Sequence, residues 1–159
     1  MDTELVVLHF ETPEAAQSAL RTIHTLEAEG SLDLDDAAII TKAEDGWVTA
    51  RGGDRSEVAR TASFGGVLGL VVGGLMGLPV LGLLAGAGVA AKHAGHAELL
   101  EEFIFSIGHN MIAGSGVLAL SVADLGDPET VTERLELHRD SLLRAEVPAA
   151  LRAEIERYQ

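Results

Sequence analysis

Residues 64–91 read FGGVLGLVVGGLMGLPVLGLLAGAGVAA, and the uncharged run that contains them reaches back to Thr61. Gly65, Gly69, Gly73 and Gly77 recur every four residues. On an α-helix that spacing lines them along one face, because a turn takes about 3.6 residues. A glycine inside a helix costs about 1 kcal/mol relative to alanine. A ladder of four therefore needs compensation, which close approach of a second helix supplies. Beyond Gly77-Leu78-Pro79 a second ladder follows, Gly82, Gly86 and Ala90. Pro79 cannot continue the first helix without losing a backbone hydrogen bond. The spacing predicts two short helices, over 61–77 and 80–92, packed glycine face to glycine face.

The outer faces of such a hairpin carry Phe64, Val67, Leu68, Leu70, Val71, Val72, Leu75 and Met76 on one arm, and Val80, Leu81, Leu83, Leu84 and Val89 on the other. A helix that is apolar all round must be buried. One host is a bilayer. Each arm of about 14 residues rises only about 21 Å at about 1.5 Å per residue, short of a hydrocarbon core of about 30 Å, so a re-entrant hairpin fits better than two spans. Arg51, Arg55 and Arg60 precede the segment and Lys92 follows it, which puts both ends on the cytoplasmic side. The other favoured host is a second copy of the chain, since a large exposed apolar patch marks an interface. The lesser alternative is the molecule's own core.

Outward from this segment the pattern is that of an α+β domain. Leu5-Val6-Val7-Leu8-His9-Phe10 reads as a buried strand. Thr12-Pro13-Glu14 opens a helix, with Thr as N-cap and Pro in the first turn. Ala16, Leu20, Ile23 and Leu26 form its inward stripe, and it ends near Gly30. Strands follow over 34–41 and 47–51, joined by the hairpin turn Glu44-Asp45-Gly46. After the segment, Leu99, Leu100, Phe103, Ile104 and Ile107 define one face of a helix, opposite Glu98, Glu101 and Glu102. Gly114-Ser115-Gly116 breaks the chain before a strand at 117–122, and Asp127-Pro128-Glu129 starts another helix. A short strand near 142–146 and a last helix after Val147-Pro148 complete the chain. The order strand, helix, strand, strand, helix, strand predicts a ferredoxin-like sandwich with helices on one face of an antiparallel sheet. Residues 1–54 and 96–159 form that domain, and 55–95 form an inserted helical hairpin.

Bulk properties exclude several functions. The 159 residues hold no cysteine, so thiolate metal sites, disulfides and cysteine nucleophiles are out. Twenty-five acidic against 11 basic residues give a net charge of −14, which repels nucleic acid. The N-terminus lacks a basic n-region and a long apolar stretch, so no secretory signal is predicted. The expected location is the cytoplasm or the cytoplasmic face of the inner membrane.

Catalytic patterns are equally scarce. His93 and His96 are three apart and followed by Glu98, Glu101 and Glu102, a conceivable metal set. A solvated polar neck closing the hairpin is the plainer reading. His109 marks a helix end, where a cation is favourable, and His9 and His24 read as structural. Gly114-Ser115-Gly116 precedes a strand, unlike a nucleophile elbow. The glycine run lacks the Gly-Lys-Ser/Thr ending of a phosphate loop and the acidic partner of a dinucleotide fingerprint. No cofactor is predicted.

The Thr-Pro-Glu helix start, the Asp33-Leu34-Asp35-Asp36-Ala37 stretch, the Glu44-Asp45-Gly46 turn, the glycine hairpin and Gly114-Ser115-Gly116-Val117-Leu118-Ala119-Leu120 occur in an order that resembles the bacterial family called domain of unknown function 1269. The resemblance runs over nearly the whole chain. It implies a predicted membrane protein and supplies no catalytic residues. The combined reading is a non-enzymatic assembly protein. Gly65, Gly69, Gly73, Gly77, Gly82 and Gly86 bring its helices together, with Pro79 at the bend, and its partners are further copies of itself, a lipid bilayer, or both. The alternative is a small-ligand or metal-binding sensor using the sheet and the His93/His96 neck.

Overall fold

A computed structural model describes residues 3–52, 58–59, 66–75, 94–138 and 141–157. Its strands are β1 (Thr3–Phe10), β2 (Asp33–Lys42), β3 (Val48–Gly52), β4 (Val58–Ala59), β5 (Gly116–Asp124) and β6 (Leu142–Val147). Its helices are α1 (Pro13–Ala28), α2 (Gly66–Leu75), α3 (Ala94–Asn110), α4 (Pro128–Arg134) and α5 (Ala149–Arg157). The strands form one antiparallel sheet in the order β4-β3-β2-β5-β1-β6.

The α+β class is as the sequence predicts, but the strand at 48–52 does not take the third-strand place that the sequence reading gives it in a ferredoxin-like fold. In that fold the hairpin partner of the second strand fills the gap between the first two. Here β5 fills it, pairing with both β1 and β2, while β3 lies on the outer side of β2. The two central strands explain the choice. Leu5–Leu8 and Val117–Leu120 are all fully buried, so both strands need cover on both faces, and the middle of the sheet provides it.

That cover comes from helices on each face rather than one. Val6, Leu8, Ile39, Leu118 and Leu120 point to one side, against Ala16, Leu20, Ile23 and Leu26 of α1 and Val131 of α4. Leu5, Val7, Ile40, Val117 and Ala119 point to the other, against Leu68, Val71 and Val72 of α2, Leu100, Ile104 and Ile107 of α3, and Leu151 of α5. Alternation along each strand, with period two, sends neighbours to opposite layers.

Local chemistry sets the boundaries. Thr12 caps α1, its hydroxyl accepting from Ala15 N at 3.1 Å, with Pro13 in the first turn. Asp127 caps α4 in the same manner through Glu129 N. A side chain on Gly116 would place its Cβ 2.8 Å from Pro13 Cα, so glycine there lets the start of α1 cross β5. Gly126 has φ +72° and lies against Ser31, where a Cβ would sit 2.1 Å from the carbonyl oxygen.

The described part of the first arm, α2, has its host in the domain itself. On α2, Leu68, Val71 and Val72 are buried against the sheet and α3, and Leu75 packs beside them. Burial of three such side chains gives about 1.5–3 kcal/mol each, enough to outweigh the four helix glycines at about 1 kcal/mol each. The expectation that Leu68, Val71 and Val72 need a bilayer or another subunit is therefore corrected. Leu99 is a second correction: it is 64% exposed, while Leu100, Ile104 and Ile107 face inward. Pro79, the bend and the second arm lie outside the described residues.

Candidate functional site

Among the residues singled out in the sequence, Gly69 is half-buried and Gly73 is buried, both on α2. They stand next to the inward stripe, each one position after Leu68 and Val72. Gly108 of α3 lies close to α2, since a Cβ there would lie 3.2 Å from Leu75 Cδ2. Gly65, Gly77, Pro79, Gly82, Gly86 and His93 lie outside the described residues. His96 is exposed in the first turn of α3. Among the described residues no group of three or more His, Asp or Glu is placed to hold a metal ion.

The structure adds residues that the sequence reading passed over. α3 turns Leu100, Ile104 and Ile107 inward, and Phe105 consequently stands on the opposite face, 73% exposed. Its ring stacks on His109, with centroids 6.1 Å apart and planes inclined by 13°. Ile112, seven positions on and just past the helix, is 72% exposed. The loop that bears it is tied to the sheet, because Gly114 N donates to Lys42 O at 2.8 Å. Lys42 ends β2, and the hairpin beyond it carries Trp47, 65% exposed. Among the described residues four large apolar side chains thus face solvent, three of them on α3 or the loop that follows it.

The same end of the sheet holds a cavity of about 390 Å³ lined by His9, Phe10, Glu11, Asn110, Ile112 and Ser115. His9 Nε2 is buried there with no hydrogen-bond partner among the described residues. Burial lowers the His9 pKa below its ordinary value of 6.5, so the ring is neutral at physiological pH. Ser115 Oγ donates to Ile112 O rather than to a histidine. The pair therefore lacks the base-to-hydroxyl hydrogen bond of an activated nucleophile.

Fold and site together define a class: an antiparallel α+β domain that seats part of a glycine-rich apolar segment in one of its two helical layers and leaves that layer's outer side partly apolar. The chain belongs to the DUF1269 family of proteins of unknown function, whose family model matches residues 62–158. The match takes in the apolar segment, α3, β5 and the C-terminal elements, and leaves β1 to β4 outside. It therefore includes Gly114–Leu120 and the glycine ladders but not the Thr-Pro-Glu helix start or the Glu44-Asp45-Gly46 turn. No curated protein and no solved structure matches the chain.

Proposed function

We propose that this protein is a non-enzymatic assembly module whose layer of α2 and α3, with the glycine-rich segment 55–95, mediates homo-oligomerisation. The observation that carries this reading is the exposure of Leu99, Phe105 and Ile112 on or beside the helix that packs against α2. The layer is apolar on its sheet side, which the domain core uses, and carries large apolar groups on its outer side as well. Exposed apolar groups gathered in this way mark interaction surfaces, and a second copy is the partner always present at equal concentration.

Bilayer association is the second reading, favoured by the uncharged run from Thr61 to Ala91 with arginines before it and Lys92 after it. Among the described residues no helix is long and apolar enough to cross a membrane, and arms of about 14 residues on either side of Pro79 would rise only about 21 Å, so the reading takes the form of a shallow insertion.

The test replaces Phe105 and Ile112 together by Glu in the intact chain and measures mass by light scattering without detergent. Both side chains are exposed, so the fold is expected to persist by circular dichroism. Assembly through this face predicts a lower mass for the variant than for the parent. An unchanged assembly would remove α3 from the interface. Flotation with anionic vesicles separates the second reading, which requires the parent chain to rise with the lipid.

A further inference from the structure

The geometry points to a binding site for a small oxyanion, a carboxylate or phosphate group, in the groove between α1 and the β2–β3 hairpin, with Arg21 and Arg51 as its clamp. The groove has a volume of about 300 Å³ and lies in the layer opposite α2 and α3, away from the proposed assembly face. One wall is a helical stripe, Glu14, Gln17 and Arg21, spaced three and four apart. The other is a strip of paired strand residues, in which Thr41 faces Thr49 and Ile39 faces Arg51. The Thr41 and Thr49 hydroxyls are hydrogen-bonded to each other at 2.8 Å.

Two observations make this groove unusual. First, three other arginines among the described residues are committed. Arg134 pairs with Glu29 at 3.0 Å, Arg144 with Glu4 at 2.7 Å and Arg152 with Asp35 at 3.2 Å. Arg21 and Arg51 have no ion-pair partner among the described residues, in a chain with 25 acidic side chains available. Two arginines that share one concavity with no ion-pair partner among the described residues create a local positive field inside a molecule of net charge −14. Arginine's planar fork of donors matches the two oxygens of a carboxylate or phosphate.

Second, the groove is polarised. Gly116 lies against Pro13 and pairs with Thr41, so α1 begins at the Thr41/Thr49 end. Glu14 therefore sits at that end, and Arg21, seven residues later, lies about 10 Å further along at about 1.5 Å per residue. That rise carries Arg21 towards the Ile39/Arg51 pair. One end is thus cationic and the other carries Glu14 beside two hydroxyls. An anion enters at the arginine end, and Glu14 opposes a second negative charge on the same molecule. A volume of this size suits a small metabolite rather than a polymer.

The experiment titrates the intact protein at low ionic strength with inorganic phosphate and, separately, with acetate, following backbone amide shifts by NMR. Saturable shifts confined to residues of α1, β2 and β3 are expected, and the anion that saturates at lower concentration identifies the preferred source. Arg21→Gln and Arg51→Gln should each weaken that binding at least about tenfold, Glu14→Gln should tighten it, and Arg144→Gln should leave it unchanged. Shifts that fail to saturate with both anions would overturn the site. So would equal weakening by Arg144→Gln, which is the signature of general charge screening.

Discussion

Gly126 shows how a single residue can fix a connection. Its φ of +72° suits glycine, and Ser31 O occupies the place of a side chain. Gly126→Ala is expected to lower stability by more than about 1 kcal/mol, because alanine at positive φ is strained even before the clash. A shift of the urea midpoint measures it, and a midpoint equal to the parent's would contradict it. His9 supplies a second test at this scale. Its folded pKa is lowered by burial, so the unfolded chain binds a proton that the folded chain resists. Stability should then fall as pH drops below about 6.5 and stay level above it. Melting temperatures across that window should drop for the parent and drop less for His9→Gln. Parallel curves would show that His9 does not carry the effect.

Elements differed in how openly the sequence announced them. α1 was legible because polar residues separate Ala16, Leu20, Ile23 and Leu26, the same residues that are buried. The hairpin at Gly46 was legible because its turn chemistry is local, with Asp45 Oδ1 accepting from Trp47 N at 2.9 Å. α2 was not. Its inward stripe, Leu68, Val71, Val72 and Leu75, has the i, i+3, i+4, i+7 spacing of a core helix, but glycines and aliphatics surround it, so no face contrasts with another. In α3, Leu99 reads as inward by its spacing of four to Phe103, and only the packing on Leu100 and Ile104 turns it outward. A contrast follows between the two helices. Leu68→Ala should cost about 2–5 kcal/mol, the range for a fully buried leucine, whereas Leu99→Ala should change the stability of the isolated fold by less than about 0.5 kcal/mol. Chemical denaturation of both variants decides it, and similar losses would contradict the burial of α2. Gly73, buried beside Val72, is for the same reason a poor place to probe assembly, because a large side chain there would strain the domain itself.

For the whole molecule, the strand order was hidden because pairing of β5 with both β1 and β2 is a long-range choice. The sequence marks β5 as buried on both faces without saying between which strands. The candidate site was legible in part. The glycine-rich segment announced itself through its lack of charge, while Phe105 and Ile112 became visible only once the inward face of α3 was fixed. The two helical layers then divide the surface. One side carries the α1 groove with Arg21 and Arg51, and the other carries apolar groups on and beside α3. Assembly through the second would leave the first open to solvent, so oligomerisation and anion binding should be independent in the variants proposed for each.

The most direct test of the central claim is the native mass of the intact chain in detergent-free buffer at micromolar concentration. A mass that is a defined multiple of 16.6 kDa is the outcome the assembly reading requires. A single peak at 16.6 kDa, unchanged on addition of detergent or lipid vesicles, would contradict it.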